Sequence, residues 1–142
     1  MKFRELDSGD PVVAGDFYAL TSYSRPIADT DRVVVAEDQG QVVSAVRIEQ
    51  VDDVFVLRGM YTHPSRVRQG IGASLLRAVE HKLAGRDSYC LPFAYLQGFY
   101  GEIGFEAIPE VAAPKFLRRR YAAYIEDDLD VIIMFRARGK QD

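Results

Sequence analysis

Hydrophobic residues along the chain recur with two periods, and these periods predict the secondary structure. Over residues 70–83, apolar side chains repeat about every 3.6 positions while charged side chains take the other faces, as in an amphipathic helix. Further helical patterns start at Asp10-Pro11, a good cap and first-turn pair, at residue 94 and at Pro114. Runs rich in β-branched and aromatic residues predict strands. They cover residues 2–6, 32–36, 41–51, 54–62, 88–93, 105–108 and 130–135.

The order of these elements predicts the fold class. The three strands between residues 32 and 62 are joined by short turns, so we expect them to be antiparallel neighbours. The later strands alternate with helices. This order predicts a single α/β domain over residues 1–142, with a mixed, mostly antiparallel sheet and helices on both faces. Gly59 interrupts the third of these strands and predicts a β-bulge or a close backbone approach.

Composition and charge exclude several classes of protein. The chain of 142 residues is 48% hydrophobic and 27% charged, which is ordinary for a globular domain. Its net charge of −3 argues against a general nucleic-acid binder. One cysteine and two histidines are too few for a disulfide framework or for a metal site built on those residues, so we expect no metal. Without a signal-peptide pattern or a run of ~20 apolar residues, we expect a cytoplasmic protein that has no membrane partner.

One stretch of the sequence contains the main candidate binding site. In it, a strand leads through a proline-bounded loop into a helix with Gly70 and Gly72 in its first turn. The first N–H groups of a helix lack intrahelical partners, and glycines let a ligand approach them. This arrangement predicts a phosphate or pyrophosphate site, to which Arg66 and Arg68 could contribute. The alternative is a glycine-started helix that simply packs tightly on the sheet. The stretch lacks the Lys-Ser/Thr pair of a P-loop, and Leu75 replaces the third glycine of a dinucleotide fingerprint.

The same stretch resembles motif A of the GNAT superfamily of N-acetyltransferases, Gln/Arg-x-x-Gly-x-Gly/Ala. Downstream, Phe99-Tyr100 followed by Gly104-Phe105 resembles motif B of that superfamily. Two motifs in the right order and at a fitting separation extend the resemblance over roughly residues 32–135. One departure is Val67, which stands at the first Gln/Arg position of motif A, between two arginines. The resemblance implies a GNAT-type sheet that is splayed at its centre.

The resemblance also implies a function and assigns site residues. It implies direct transfer of an acetyl group from acetyl-CoA to a primary amine of a small molecule or a protein. Tyr100 takes the position of the tyrosine often assigned as general acid to the leaving thiolate. Acceptor contacts are expected from Tyr18, Tyr23 and Arg58. The expected coenzyme A-binding positions, first for the pantetheine arm and then for the pyrophosphate, are Met60, Tyr61, Thr62, Val67, Arg68, Gln69, Gly70, Ile71, Gly72 and Ala73.

Several alternatives stay open at this point. The chain could use a longer acyl-CoA, or it could be a non-catalytic module that binds coenzyme A and regulates a partner. Arg58 could face solvent or bind an acceptor carboxylate, and the basic residues 115 and 118–120 fit either a salt-bridged helix surface or an anion contact. Cys90 is expected in the core. The oligomeric state, for which a homodimer is one option, and the general base are open. The candidates for the base are Glu37, Glu49, Asp52 and Asp53.

Overall fold

A computed structural model describes residues 1–6, 11–21 and 30–139 of the chain. Its centre is a seven-stranded sheet with the order β1-β2-β3-β4-β5-β7-β6. Neighbouring strands are antiparallel except for β4 and β5, which are parallel. The expected mixed, mostly antiparallel sheet is therefore confirmed. The strands are β1 (Lys2–Glu5), β2 (Arg32–Asp38), β3 (Gln41–Val51), β4 (Val54–Thr62), β5 (Ser88–Cys90), β6 (Glu106–Ile108) and β7 (Ile133–Arg136).

Helices cover both faces of this sheet, as expected. They are α1 (Pro11–Tyr18), α2 (Ile71–Val79), α3 (Gln97–Gly101) and α4 (Lys115–Glu126). Successive residues of a strand point to opposite faces. Val34 of β2 packs in one buried cluster with Leu75 of α2, whereas Val33 packs with Phe17 of α1 in another. On β4, Val56 packs with Leu117 of α4, so α4 shares the face that α1 covers. One face thus carries α2 and α3, and the other carries α1 and α4.

Several boundaries differ from the predicted ones. The helix predicted over residues 70–83 is α-helical only to Val79 and ends in a 3₁₀ turn, Glu80–Leu83. The segment 94–100 begins as a 3₁₀ turn before α3. The strand predicted over residues 88–93 stops at Cys90, because Pro92 has no N–H to donate to a ladder. The proposed cap at Asp10 lies outside the described residues.

The register of β4 confirms a bulge at Gly59. Arg58 pairs with Arg47 of β3, but Tyr61 pairs with Ala45, so β4 contains one extra residue between the two pairs. Gly59 has a φ of +65°, in the left-handed region that favours glycine. Its carbonyl oxygen accepts a hydrogen bond from the hydroxyl of Tyr18 on α1, at 2.6 Å. The bulge turns Arg58 and Met60 away from the common face that simple alternation would give them.

The sheet splits between β4 and β5. Their parallel ladder contains only Phe55 with Ser88 and Val56 with Tyr89, whereas β4 continues to Thr62. Beyond Val56, the edge of β4 that faces β5 has no strand partner in the described part of the chain. The expected splay at the centre of the sheet is therefore present. Among the described helices, none has the length and apolar character needed to cross a bilayer.

Candidate active site

The split between β4 and β5 opens into a cavity of about 480 Å³. The β4 side supplies residues on both sides of the bulge, including Arg58 and Met60. The other walls come from β5 and the segment after it, from Tyr100 on α3, and from Arg120 on α4. The cavity therefore passes through the sheet, with α2 and α3 on one side and α4 on the other. Its volume is in the usual range for sites that bind small molecules and cofactors.

The start of α2 lies beside this cavity and offers free backbone donors. Gly70, the N-cap, has a left-handed backbone with a φ of 76°, and no side chain caps the helix. The first intrahelical hydrogen bond runs from the N–H of Ser74 to the carbonyl of Gly70, at 3.1 Å. The N–H groups of Ile71, Gly72 and Ala73 therefore have no acceptor within the helix. Together with the helix dipole, they form an arrangement that suits a phosphate group.

The residues around the start of α2 differ in their contacts and exposure. A Cβ added to Gly72 would lie 3.5 Å from Thr62 Oγ1 and 3.6 Å from Phe99 Cζ, which are ordinary contact distances, so α2 passes close to β4 here but has room for a methyl group. Arg66 is engaged elsewhere, since its guanidinium bonds Asp38 at 2.8 Å. Arg68 is exposed, in a left-handed conformation.

Among the expected coenzyme A positions, the structure brings only some to the cavity wall. Met60, Tyr61, Thr62 and Val67 line it. Residues 68–73 lie in the adjoining turn and the start of α2, where the backbone rather than the side chains supplies the donors. Ile71 illustrates this, because its side chain is buried in the core.

Tyr100 is buried and its side chain borders the cavity. Phe99 and Phe105 meet its ring edge-on, with centroids at 5.0 and 6.3 Å. Burial raises the pKa of the Tyr100 phenol well above its ordinary value of 10.0, and the neighbouring Cys90 thiol and Tyr61 phenol add to the shift. The hydroxyl therefore keeps its proton at neutral pH and can act as a hydrogen-bond donor inside the cavity.

A buried arginine fixes the helix that carries Tyr100. Arg136 of β7 donates a hydrogen bond from Nε to the carbonyl of Ile103, just after α3, at 2.7 Å. The same guanidinium forms an ion pair with Glu80 at the end of α2, at 3.2 Å. These bonds tie α3 to both the sheet and α2. The position of Tyr100 is thus held from outside the cavity.

On the α4 side, one carboxylate holds two arginines. Arg120 contacts Glu49 of β3 with two parallel bonds, Nη1 to Oε1 at 2.6 Å and Nη2 to Oε2 at 3.1 Å. Arg58 of β4 bonds the same Oε1 at 3.2 Å. The Arg120 guanidinium also lies over the ring of Phe116, 5.2 Å from its centroid. Both arginines line the cavity, whereas Glu49 lies behind them.

These contacts make Glu49 a poor general base. Partial burial by itself would raise its pKa, but the hydrogen bonds and charge of Arg120, with those of Arg58, outweigh burial and hold the pKa below 4.5. An effective base has a pKa near the working pH. Of the other candidates, Asp52 and Asp53 are exposed in the β3–β4 turn, and Glu37 forms an ion pair with Arg4 on β1. The described cavity wall contains no aspartate or glutamate.

The remaining four sequence candidates fall in four different places. Tyr18 is buried beneath the bulge, bonded to Gly59, and is not part of the cavity wall. Tyr23 lies outside the described residues. Cys90 is buried in the core as expected, and burial raises the pKa of its thiol, although it also borders the cavity. His63 caps the 3₁₀ turn Pro64–Arg66 by accepting a bond from the N–H of Ser65.

Within the basic run 118–120, which fits either a salt-bridged surface or an anion contact by sequence, Arg120 is the residue that lines the cavity. It stands in a basic run typical of a helix surface, yet it shares a helix face with Phe116 and Tyr124, at spacings of four residues. A charged residue between two aromatic residues on one face is the signal that could have marked it. Its neighbours Arg118 and Arg119 are exposed.

A sequence model of the acetyltransferase (GNAT) domain matches residues 29–107, more than half of the chain. The chain belongs to this family. No curated protein matches the sequence significantly. The resemblance noted in the two motifs is thus confirmed for the family and its fold.

Solved structures share this GNAT fold over nearly the whole chain. The ribosomal-protein-S18-alanine N-acetyltransferase from Escherichia coli has a TM-score of 0.68 and 16% identity, with 99% of this chain and 96% of that chain covered. An aminoglycoside 6'-N-acetyltransferase complexed with coenzyme A has a TM-score of 0.68 and 17% identity, with both chains fully covered at 100%. N-acetylglutamate synthase from Neisseria gonorrhoeae, complexed with coenzyme A and L-arginine, has a TM-score of 0.70 and 19% identity. The match covers 98% of this chain but 33% of that synthase.

Proposed function

We propose that this GNAT protein is an N-acetyltransferase that moves an acetyl group from acetyl-CoA directly to a primary amine. The observation that carries the proposal is the cavity at the β4–β5 split, which lies next to the uncapped start of α2 and is bordered by the buried, protonated Tyr100. Its wall includes residues from both faces of the sheet, Tyr100 on α3 and Arg120 on α4. The donor and the acceptor can therefore bind at different ends of the cavity and meet at the split.

The donor side fits coenzyme A. The free N–H groups of Ile71, Gly72 and Ala73 suit its pyrophosphate. Beyond Val56, the edge of β4 that faces β5 has no strand partner among the described residues, so it can hydrogen-bond the amide groups of a pantetheine arm in the manner of an added strand. Val67, at the position where motif A usually has Gln or Arg, offers no charge, so the backbone must supply most of the binding. Solved structures of the same fold that are complexed with coenzyme A, the aminoglycoside acetyltransferase among them, support coenzyme A as the ligand.

Acetyl transfer requires that the amine lose a proton, that the leaving thiolate gain one, and that the negative charge on the thioester oxygen be stabilised. The amine must lose a proton before it attacks, because an alkylamine with a pKa near ~10 is mostly protonated at neutral pH. Attack on the thioester carbonyl places negative charge on its oxygen, which a β4 N–H could stabilise. The sulfur then leaves as a thiolate, and Tyr100 is placed to donate its proton or a hydrogen bond to it. No acyl-enzyme is needed in this scheme, and Cys90, with its raised pKa, is poorly suited to form one.

A turnover screen tests the proposal. Acetyl-CoA is mixed with amino acids, polyamines, aminoglycosides and peptides, and the released thiol is measured together with the acetylated product. Thiol release that depends on one class of amine supports the proposal. If coenzyme A binds by calorimetry but no amine is acetylated, the chain is a coenzyme A-binding module instead. Parallel reactions with propionyl-CoA and longer acyl-CoA donors show whether acetyl is the preferred group.

A further inference from the structure

Two stacked aromatic side chains stand at the rim of the cavity. Phe93 and Tyr95, which we call the aromatic pair, lie in the segment between β5 and α3 and both border the cavity. Their rings are nearly parallel, with 5.9 Å between centroids and 8° between planes. Phe93 is 39% exposed and Tyr95 is 82% exposed. Single exposed apolar residues are common on protein surfaces, but rings that are stacked together at a cavity and left in water indicate a binding surface.

The aromatic pair lies on the α4 side of the sheet, away from the start of α2. Leu91 packs against the buried cluster that contains Leu117 of α4, and Phe93 lies two residues further along, on the same face. Phe93 also pairs with Val131 in an antiparallel bridge, which holds this segment against the chain that follows α4. The pair is therefore placed where an acceptor would bind, on the side opposite the proposed pyrophosphate site.

The rest of the wall on this side is largely apolar. Leu129 and Val131 continue it beyond the aromatic pair. Its charged members, Arg58 and Arg120, both bond Glu49. An apolar group that enters here removes apolar surface from water on both partners. A highly polar acceptor would instead lose water contacts that leucine and valine side chains cannot replace.

We propose that the acceptor is a small amine that carries an aromatic ring, and that this ring stacks on the aromatic pair while the amine reaches the split beside Tyr100. The inference rests on the acetyltransferase activity proposed above and narrows its substrate class. A ring is favoured over a saturated group of the same size, because offset stacking on a flat face adds to the gain from burial.

The aromatic pair is also close to the proposed site of reaction. Tyr95 and Tyr100 border the same cavity. Burial raises the pKa of Tyr100, and the Tyr95 phenol adds to the rise, which places the two side chains near one another. A ring that stacks on the aromatic pair is therefore near the tyrosine that we expect to protonate the leaving thiolate, so a short linker can bring its amine to the thioester.

Matched acceptors provide the first test. Benzylamine and 2-phenylethylamine are compared with ethylamine and with their saturated counterparts, cyclohexylmethylamine and 2-cyclohexylethylamine. We expect kcat/KM to be roughly tenfold or more higher for the better aromatic amine than for ethylamine, as for a buried ring. It should exceed that of its saturated counterpart by about threefold or more, as for two stacked rings. If the saturated amines react as well as the aromatic ones, the inference fails while the acetyltransferase activity stands. If no amine of any kind releases thiol, the proposed function itself fails.

Variants of Tyr95 provide the second test, since this side chain is exposed and its replacement should not unfold the protein. Y95L keeps apolar bulk but removes the flat face. We expect it to raise the KM for the aromatic amine by about threefold or more, with little change in kcat and a smaller change for the saturated counterpart. Y95F keeps the ring, so it should keep the preference of wild type for the aromatic amine.

The control is V111A, which alters another exposed apolar residue that is not part of the described cavity wall. Thermal unfolding checks that each variant is folded. The quantity compared between proteins is the ratio of kcat/KM for the aromatic amine to that for its saturated counterpart, which cancels any difference in amine basicity. A ratio that is the same in Y95L and wild type would overturn the inference.

Discussion

The two ends of the cavity are built in different ways. The end where we propose that coenzyme A binds, the donor end, consists mainly of backbone groups from one continuous stretch, the end of β4 and the start of α2. The end where we propose that the amine binds, the acceptor end, includes side chains from β3, β4 and α4, with Glu49 and Arg120 separated by 71 positions. Backbone donors are available to any sequence that makes the same turn. A cluster of side chains depends on every residue in it, so acceptor specificity can change while donor binding stays the same.

Replacing Tyr100 by Phe should have the largest effect. It should slow the chemical step without weakening the binding of the donor or the acceptor. The change keeps the ring and its contacts with Phe99 and Phe105 but removes the proton donor. We expect kcat to fall by about 10²- to 10⁴-fold, the usual contribution of a positioned proton donor. The dissociation constant of coenzyme A and the KM of the acceptor should change little. Steady-state kinetics and calorimetry measure the three quantities. An unchanged kcat would remove Tyr100 from the reaction.

The backbone features beside the cavity could be predicted from the sequence, whereas the contacts of Arg120 could not, for a physical reason. The turn at Gly70 and the bulge at Gly59 are local, and the residues that encode them are neighbours in the chain. The contacts of Arg120 with Glu49 form only when α4 packs on the face that carries Glu49. The apolar stripe of α4 is encoded locally, but the side chain that its helix presents to the cavity depends on packing against distant strands. The short β5 is an intermediate case, since Pro92 is a local signal whereas the ladder that it ends involves strands far away along the chain.

A negative charge at the start of α2 should damage the donor end alone. Gly72→Glu places a carboxylate where we expect the pyrophosphate, and like charges in contact cost several kcal/mol. We expect the affinity for coenzyme A to fall by at least about a hundredfold, measured by calorimetry. Gly72→Ala is the control, because its Cβ would make only ordinary contacts at 3.5 Å or more. Equal affinities for the two variants would show that the phosphates bind elsewhere.

The bulge at Gly59 lies between Arg58 at the acceptor end and Met60 at the donor end. Loosening it should therefore lower the stability of the strand that contributes to both ends. Tyr18→Phe removes the hydrogen bond to the carbonyl of Gly59. We expect the free energy of unfolding to fall by about 1 kcal/mol, which corresponds to roughly 3 °C in Tm. Tyr121→Phe serves as control, since Tyr121 makes no hydrogen bond within the described residues and packs beside Leu117. Similar stabilities for the two variants would mean that the Tyr18 bond does not hold the bulge.

The smallest expected effect is the pH dependence of the stability that Glu49 contributes. The pKa of Glu49 is below 4.5 in the folded protein, because the arginine contacts outweigh its partial burial. A lowered pKa contributes stability that is present above the unfolded value and is lost as the pH falls through the folded value. Wild type should therefore be more stable than Glu49→Gln at pH 7, by less than about 1 kcal/mol for a partly exposed cluster, and the gap should narrow as the pH falls below 4.5.

Urea unfolding at pH 7, 5 and 3.5 measures this gap, with Glu126→Gln at the exposed end of α4 as control. A gap that is constant or grows on acidification would mean that Glu49 is not held by the arginines in solution. Arg58 and Arg120 would then lack the shared contact with Glu49 that fixes their positions in the cavity wall. The donor end would keep its properties, because none of its backbone donors depends on Glu49.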